Sequence, residues 1–158
     1  MSLFITHQQQ PTADTCTCTS IAMICGMPAG EVIRRFHDDY LARMFGFGSI
    51  LDDLCIPYRA YQSDEDHVID EPGAYLLTVP SLNIPGFLHH LVVEMDEDDE
   101  WVVLDPVMGR EGKRYYKASP PRSESELMLA GYQIDAFIDI EYLRNAYGYR
   151  YQADEDAA

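Results

Sequence analysis

Positive charge is scarce in this sequence. Eleven Lys and Arg residues stand against 27 Asp and Glu in 158 residues, a formal net charge of -16. A surface built for nucleic acid or anionic lipid is therefore excluded by repulsion, and partners are expected to be neutral or basic. Long apolar runs are missing as well. No stretch approaches the roughly 20 residues of a membrane-spanning helix, so no membrane association is expected. The opening Met1-Ser2-Leu3-Phe4-Ile5 lacks the basic region and length of a secretory signal, and the chain reads as cytoplasmic. Cysteine is sparse: of four, three crowd into residues 16 to 25, too few and too clustered for a disulfide framework, so reduced thiols are expected. Repeats and linkers are absent too.

What is present suffices for a core. With 47% hydrophobic and 24% charged residues the chain needs no staples to fold. Its length fits one domain, expected over residues 1–151, followed by a small acidic tail, 152–158, expected to fray. The period of the pattern changes along the chain. A short, very apolar helix is predicted from Asp14 or Thr15 to Cys25, closed by Gly26 with Pro28 beyond. A second spans Ala29 to about Met44, with Val32, Ile33, Phe36, Tyr40, Leu41 and Met44 on one stripe. A third, capped by Ser49, carries Ile50, Leu51 and Leu54. Strands follow at Tyr58 to Gln62, Ala74 to Val79, Phe87 to Met95, Trp101 to Asp105, Lys113 to Lys117 and Tyr132 to Glu141, with a short helix at 124–130. Asp96 to Glu100 is expected to form a solvated hairpin tip, and Ser63 to Pro72 an acidic loop. In the last strand Tyr132, Ile134, Ala136, Ile138 and Ile140 are expected to face the core, with Asp135 turned away.

The chemistry centres on Cys16. A thiol in the first turn of a buried helix meets unpaired backbone N–H groups and the positive end of the dipole, and both favour thiolate. Gln10, six residues upstream on an arm fixed by Pro11, is the candidate to stabilise an oxyanion beside that sulfur. A thiolate nucleophile also needs a base and a group to orient it. The hairpin supplies His89-His90 on one strand and Asp105 at the end of the next, and since neighbouring strand residues face opposite sides, only one histidine can face Cys16. Periodicity alone does not choose between them. Cys18 is the rival nucleophile, with Thr12 rather than Gln six residues before it; Cys25 and Cys55 read as packing, and His7, His37 and His67 lie in no pattern.

Together, Gln10, Cys16 with Ala22-Met23-Ile24, His90-Leu91-Val92-Val93 and Leu104-Asp105-Pro106-Val107-Met108-Gly109 resemble the double-glycine leader peptidases that process bacteriocin precursors, a group of papain-like cysteine peptidases. The resemblance covers roughly residues 10 to 117. It implies an α+β, papain-like fold and assigns Gln10 to the oxyanion hole, Cys16 as nucleophile, His90 as general base and acid, and Asp105 as the residue that orients the imidazole. Thr15 and Thr17 flank the cysteine where the family usually has Asp and Gly, and Leu91 stands where an aromatic is common. The expected function is thus cleavage of a peptide or amide bond in a peptide or protein substrate through a thioester. The loop Pro80 to Gly86 is the expected substrate rim.

Neighbouring readings use the same residues. Deamidases, transglutaminases and acyltransferases also form a thioester on such a triad, and a catalytically silent module of this fold would hold a basic or neutral protein. A zinc site on Cys16, Cys18, Cys25 and a histidine is disfavoured, because three ligands on one helix would not converge. Neither Asp64-Glu65-Asp66 nor Asp96 to Glu100 has the glycine turn and alternating ligands of a calcium loop. No metal and no cofactor are expected.

Overall fold

The computed structural model describes residues 3–61 and 68–156, with side chains described up to residue 148. Helix α1, Cys16–Cys25, is buried from Thr17 to Ile24 on every side, as a helix with no polar face must be. It ends at Gly26, whose φ of 72° is the left-handed conformation of a C-cap. A Cβ there would sit 3.2 Å from the Tyr147 ring, so the glycine serves both the turn and the packing. Helix α2, Ala29–Leu41, starts where the Gln8 side chain accepts from Ala29 N–H at 2.7 Å and donates to Met27 carbonyl at 2.7 Å. It stops three residues short of the expected Met44, because Arg43 takes a left-handed φ of 59°. Helix α3, Phe47–Asp53, is capped by extended Gly46 and so begins before Ser49.

Five strands make one antiparallel sheet: β1 Arg59–Ala60, β2 Gly73–Pro80, β3 Leu88–Met95, β4 Trp101–Leu104 and β7 Gln133–Asp139, in the order β1-β7-β2-β3-β4. Two further strands, β5 Tyr115–Lys117 and β6 Glu126–Met128, pair parallel to each other. The second corrects the expected helix at 124–130: spacing of two, not three or four, sets both Leu127 and Leu129 against the core. Helix α4, Ile140–Asp156, closes the described chain. It takes in residues 152–156 of the acidic tail; residues 157 and 158 lie outside the described residues, as do residues 62 to 67 of the expected acidic loop and of its flanking strand.

Both faces of the sheet are covered. Ala74, Leu76, Val92, Ala136 and Ile138 face the helices in one cluster, and Tyr75, Leu77, Leu91, Val93, Ile134 and Phe137 face a second cluster closed by Tyr116 and Leu129. Double coverage explains why Phe137 breaks the expected one-sided alternation. The phase itself shifts inside β7: Leu76 pairs with Ala136 but Leu77 with Ile134, so Asp135 is the extra residue of a bulge. Ile134 therefore lies on the opposite side from Ala136, and Asp135 is buried rather than solvated. At the hairpin tip Asp96 is also buried, its Oδ1 accepting from Asp98 and Glu100 N–H at 2.9 and 3.0 Å. Among the described residues, no helix is long and apolar enough to cross a membrane.

The start of the N-terminal arm is held by a buried carboxylate. Glu94 on β3 accepts from Phe4 and Ile5 N–H at 2.8 and 2.9 Å. Burial raises its pKa against those two bonds. Glu94→Ala would leave two backbone donors unpaired in the interior, and a loss of about 1–3 kcal/mol is expected, read as a lower urea midpoint with unchanged slope. A full-stability variant would mean that the arm is not held by this residue.

Candidate functional site

Cys16 is the first residue of α1. The preceding Thr15 spends its hydroxyl backward, donating to Thr12 carbonyl at 3.0 Å, so no side chain caps the first turn among the described residues. The helix therefore presents open N–H groups and its positive end where the sulfur sits. Cys16 is half-buried, whereas Cys18, two residues on, is fully buried. Cys25 is half-buried and its thiol donates to Ala22 carbonyl at 3.7 Å; Cys55, expected to pack, is exposed.

The hairpin register decides which histidine meets the aspartate. Val92 pairs with Leu104 and Met95 with Trp101. Continuing that register sets Asp105 opposite Leu91, on the face shared with His89 and opposite to His90. His89 Nε2 lies 2.7 Å from Asp105 Oδ1. The expectation that His90 would join Asp105 is corrected: the side chain one residue along the strand points the other way. The sequence held the deciding signal. Asp96 N–H bonds Glu100 carbonyl, so the tip is centred on Asp98, and residues equidistant from it pair. That symmetry gives Asp105 an odd-numbered partner.

Asp105 is fixed on all sides. Oδ1 also accepts from Val107 N–H at 3.0 Å and Oδ2 from Tyr116 N–H at 2.9 Å, while the Asp105 carbonyl lies 2.7 Å from His7 Nε2. His7, which lay in no sequence pattern, thus supports this turn. With Nε2 of His89 held by the carboxylate, Nδ1 is left for the sulfur. Burial pushes the Cys16 thiol up, but its hydrogen bond to His89, the charge of that ring and the His90 backbone N–H outweigh burial and bring it down to about 7. Burial likewise pushes His89 down, and Asp105 with Cys16 outweighs it, raising the imidazole to about 9. Between these values the pair is thiolate and imidazolium. Cys18 is the internal contrast: burial, with the neighbouring Cys16 charge, pushes it up to about 11.

Gln10 lies against the same turn. Its N–H donates to Pro106 carbonyl at 2.8 Å, and its side chain is 1% exposed. Nε2 donates to Thr12 carbonyl at 2.7 Å, and Oε1 has no hydrogen-bond partner among the described residues. Gln10, Cys16 and His89 all line one cleft of about 330 Å³. Gln10, Cys16 and His89 thus share one cleft, with Asp105 behind His89 and His90 off that lining.

His90 belongs to a second network. Its Nδ1 lies 2.7 Å from Thr17 Oγ1 and its Nε2 3.0 Å from Asp135 Oδ2. Thr17 reaches Tyr40 Oη at 3.2 Å, Thr78 Oγ1 donates to Asp135, and the Phe47 ring stands edge-on to the imidazole at 6.1 Å. Thr17, Tyr40, Thr78 and both histidines border a smaller cleft of about 220 Å³ on which Cys16 also opens. Asp135 had no sequence signal, because its inward turn depends on the bulge in β7. Comparison with protein-family models, curated proteins and solved structures finds no match to this chain.

Proposed function

We propose that this chain is a papain-like cysteine hydrolase acting on a peptide or amide bond, with Cys16 as nucleophile, His89 as general acid and base, Asp105 as the orienting carboxylate, and Gln10 with the Cys16 N–H as oxyanion donors. The observation that carries the reading is that Cys16 and His89 line one cleft while His89 Nε2 lies 2.7 Å from Asp105 Oδ1; in keeping with it, the Cys16 thiol is lowered to about 7 while Cys18 in the same helical turn is pushed up to about 11. The Cys16 thiolate adds to the carbonyl carbon, and the oxyanion is met by N–H donors at the helix start. The intermediate collapses to a thioester as Nδ1–H of His89 protonates the departing amine. Water then loses its proton to His89, attacks the thioester, and the thiolate leaves with a carboxylic acid as product. Asp105 keeps its bond to Nε2 throughout, which holds the tautomer and stabilises the imidazolium. The resemblance to double-glycine leader peptidases supports the same assignment once its histidine is moved one residue, to His89; His90 then occupies the position where that pattern has an aromatic.

Iodoacetamide labelling followed by peptide mass analysis tests the reading. At pH 7, Cys16 is expected to react at least tenfold faster than Cys18, whose thiolate is suppressed. Uniformly slow labelling would instead favour a silent binding module. With pKa values of about 7 and 9 for the pair, labelling should rise once with pH through about 7 and stay high. Turnover of a peptide or amide substrate should follow a bell with limbs near 7 and 9, because acylation needs the proton that His89 loses above 9.

A further inference from the structure

Positive charge, scarce in the chain as a whole, is concentrated beside the candidate cleft. Of eleven Lys and Arg residues, Arg110, Lys113, Arg114, Lys117 and Arg122 fall within one stretch that contains a single acid, Glu111. Two of the five are engaged: Lys117 lies 3.5 Å from Glu126, and Arg114 Nε donates to Glu124 carbonyl at 3.3 Å. Arg110 and Lys113 line the 330 Å³ cleft, half-buried, and have no ion pair among the described residues. The one acid on that lining, Asp14, already accepts from Thr12 Oγ1 at 2.9 Å and faces His37 at 3.5 Å. The same lining carries apolar groups: Phe87 and Leu88 are 65% and 72% exposed, with Ile84 and Leu41 also on it. Asn83 clamps the Pro80 to Gly86 loop to the basic stretch, donating to Arg114 carbonyl and accepting from Arg114 N–H, both at 2.9 Å.

Exposed apolar side chains and cations without an ion pair, lining one cleft with a nucleophile, form a surface with two chemical demands. We propose that the cleft takes an acidic peptide segment, seating an apolar side chain on Phe87, Leu88 and Ile84 and a neighbouring carboxylate on Arg110 and Lys113. This rests on the proposed hydrolase reading and names its substrate class. The overall charge of -16 does not oppose it at short range, since charges beyond about 8–10 Å are screened at physiological salt. It does exclude a polyanion, whose many charges would meet the acidic surface outside the cleft. An acidic segment at this site differs from the basic or neutral partner expected from net charge alone.

The test uses Cys16→Ala, which cannot turn over, and three fluorescein-labelled peptides of equal length carrying one Phe-Leu pair flanked by Glu, Gln or Lys. By anisotropy at 50 mM NaCl the Glu peptide is expected to bind at least tenfold tighter than the Lys peptide. The difference should shrink at 500 mM, and R110E/K113E should reverse the order. Equal binding, preference for Lys, or no binding of any peptide at millimolar concentration would overturn the proposal. So would a salt-sensitive dimer in sedimentation that R110E/K113E abolishes, since the cleft would then belong to a second copy. Iodoacetamide labelling of the unsubstituted chain reads Cys16 with no peptide present, so fast labelling together with equal peptide binding would overturn the substrate proposal and leave the hydrolase reading standing.

Discussion

His89→Ala is expected to slow alkylation of Cys16 at pH 7 on the order of a hundredfold, while His90→Ala leaves the rate within about threefold. The argument rests on what each side chain does for the sulfur. Cys18 shows the consequence of burial without an imidazole, a thiol pushed up to about 11. If loss of His89 moves Cys16 from about 7 toward that value, the thiolate fraction at pH 7 falls by roughly four decades. Greater nucleophilicity of a more basic thiolate returns about 0.4–0.5 of each decade, which leaves a net loss of about two. His90 acts on the sulfur chiefly through its backbone N–H, and alanine keeps that group. Its ring serves Thr17 and Asp135 instead, so His90→Ala should cost stability of about 1–3 kcal/mol rather than reactivity. Measuring both rates by mass-resolved labelling and both stabilities by urea unfolding separates the two roles. A larger rate loss in His90→Ala would reverse the assignment.

The elements that were legible in the sequence are those whose pattern is set locally. The apolar stretch to Cys25 with Gly26 behind it, and the β-branched runs around the acidic tip, led to α1, β3 and β4 within a residue or two. Gln10, Cys16 and Asp105 could be placed at one end of the fold because their spacing follows from one helix and one hairpin. The rest depended on distant partners. Leu127 is a strand residue only because β5 lies alongside, and Asp135 turns inward only because β2 and β7 slip register between Leu76 and Leu77. The choice between the two histidines lies between these cases. It was encoded in the symmetry of the hairpin tip, but hydrophobicity gave no hint, since both faces of β3 are buried.

Replacement of Asp105 should produce the largest combined loss of stability and turnover in the molecule. Its carboxylate is 1% exposed and receives three N–H groups, from His89, Val107 and Tyr116. Asp105→Ala leaves two backbone donors and a buried imidazole without partners, at a cost of about 3–5 kcal/mol. That variant alone would not distinguish a catalytic effect from poor folding, so Asp105→Asn is the informative one. An amide oriented with its oxygen toward His89 and Val107 keeps two of the three bonds and presents N–H to Tyr116 N–H, so a smaller loss of about 1–3 kcal/mol is expected. The negative charge is gone in either orientation. The imidazolium then loses its principal stabilisation, and the alkaline limb of turnover should move from about 9 toward the ordinary histidine value of about 6.5. Turnover should fall by roughly 10² as the imidazolium, still held by the amide oxygen, loses the charge that stabilises it. Because a purely structural defect would lower the active fraction equally at every pH, the displaced limb is the signature of the orienting role. Asp105→Asn with wild-type turnover and an unmoved alkaline limb would show that the carboxylate serves only the Val107 and Tyr116 turn.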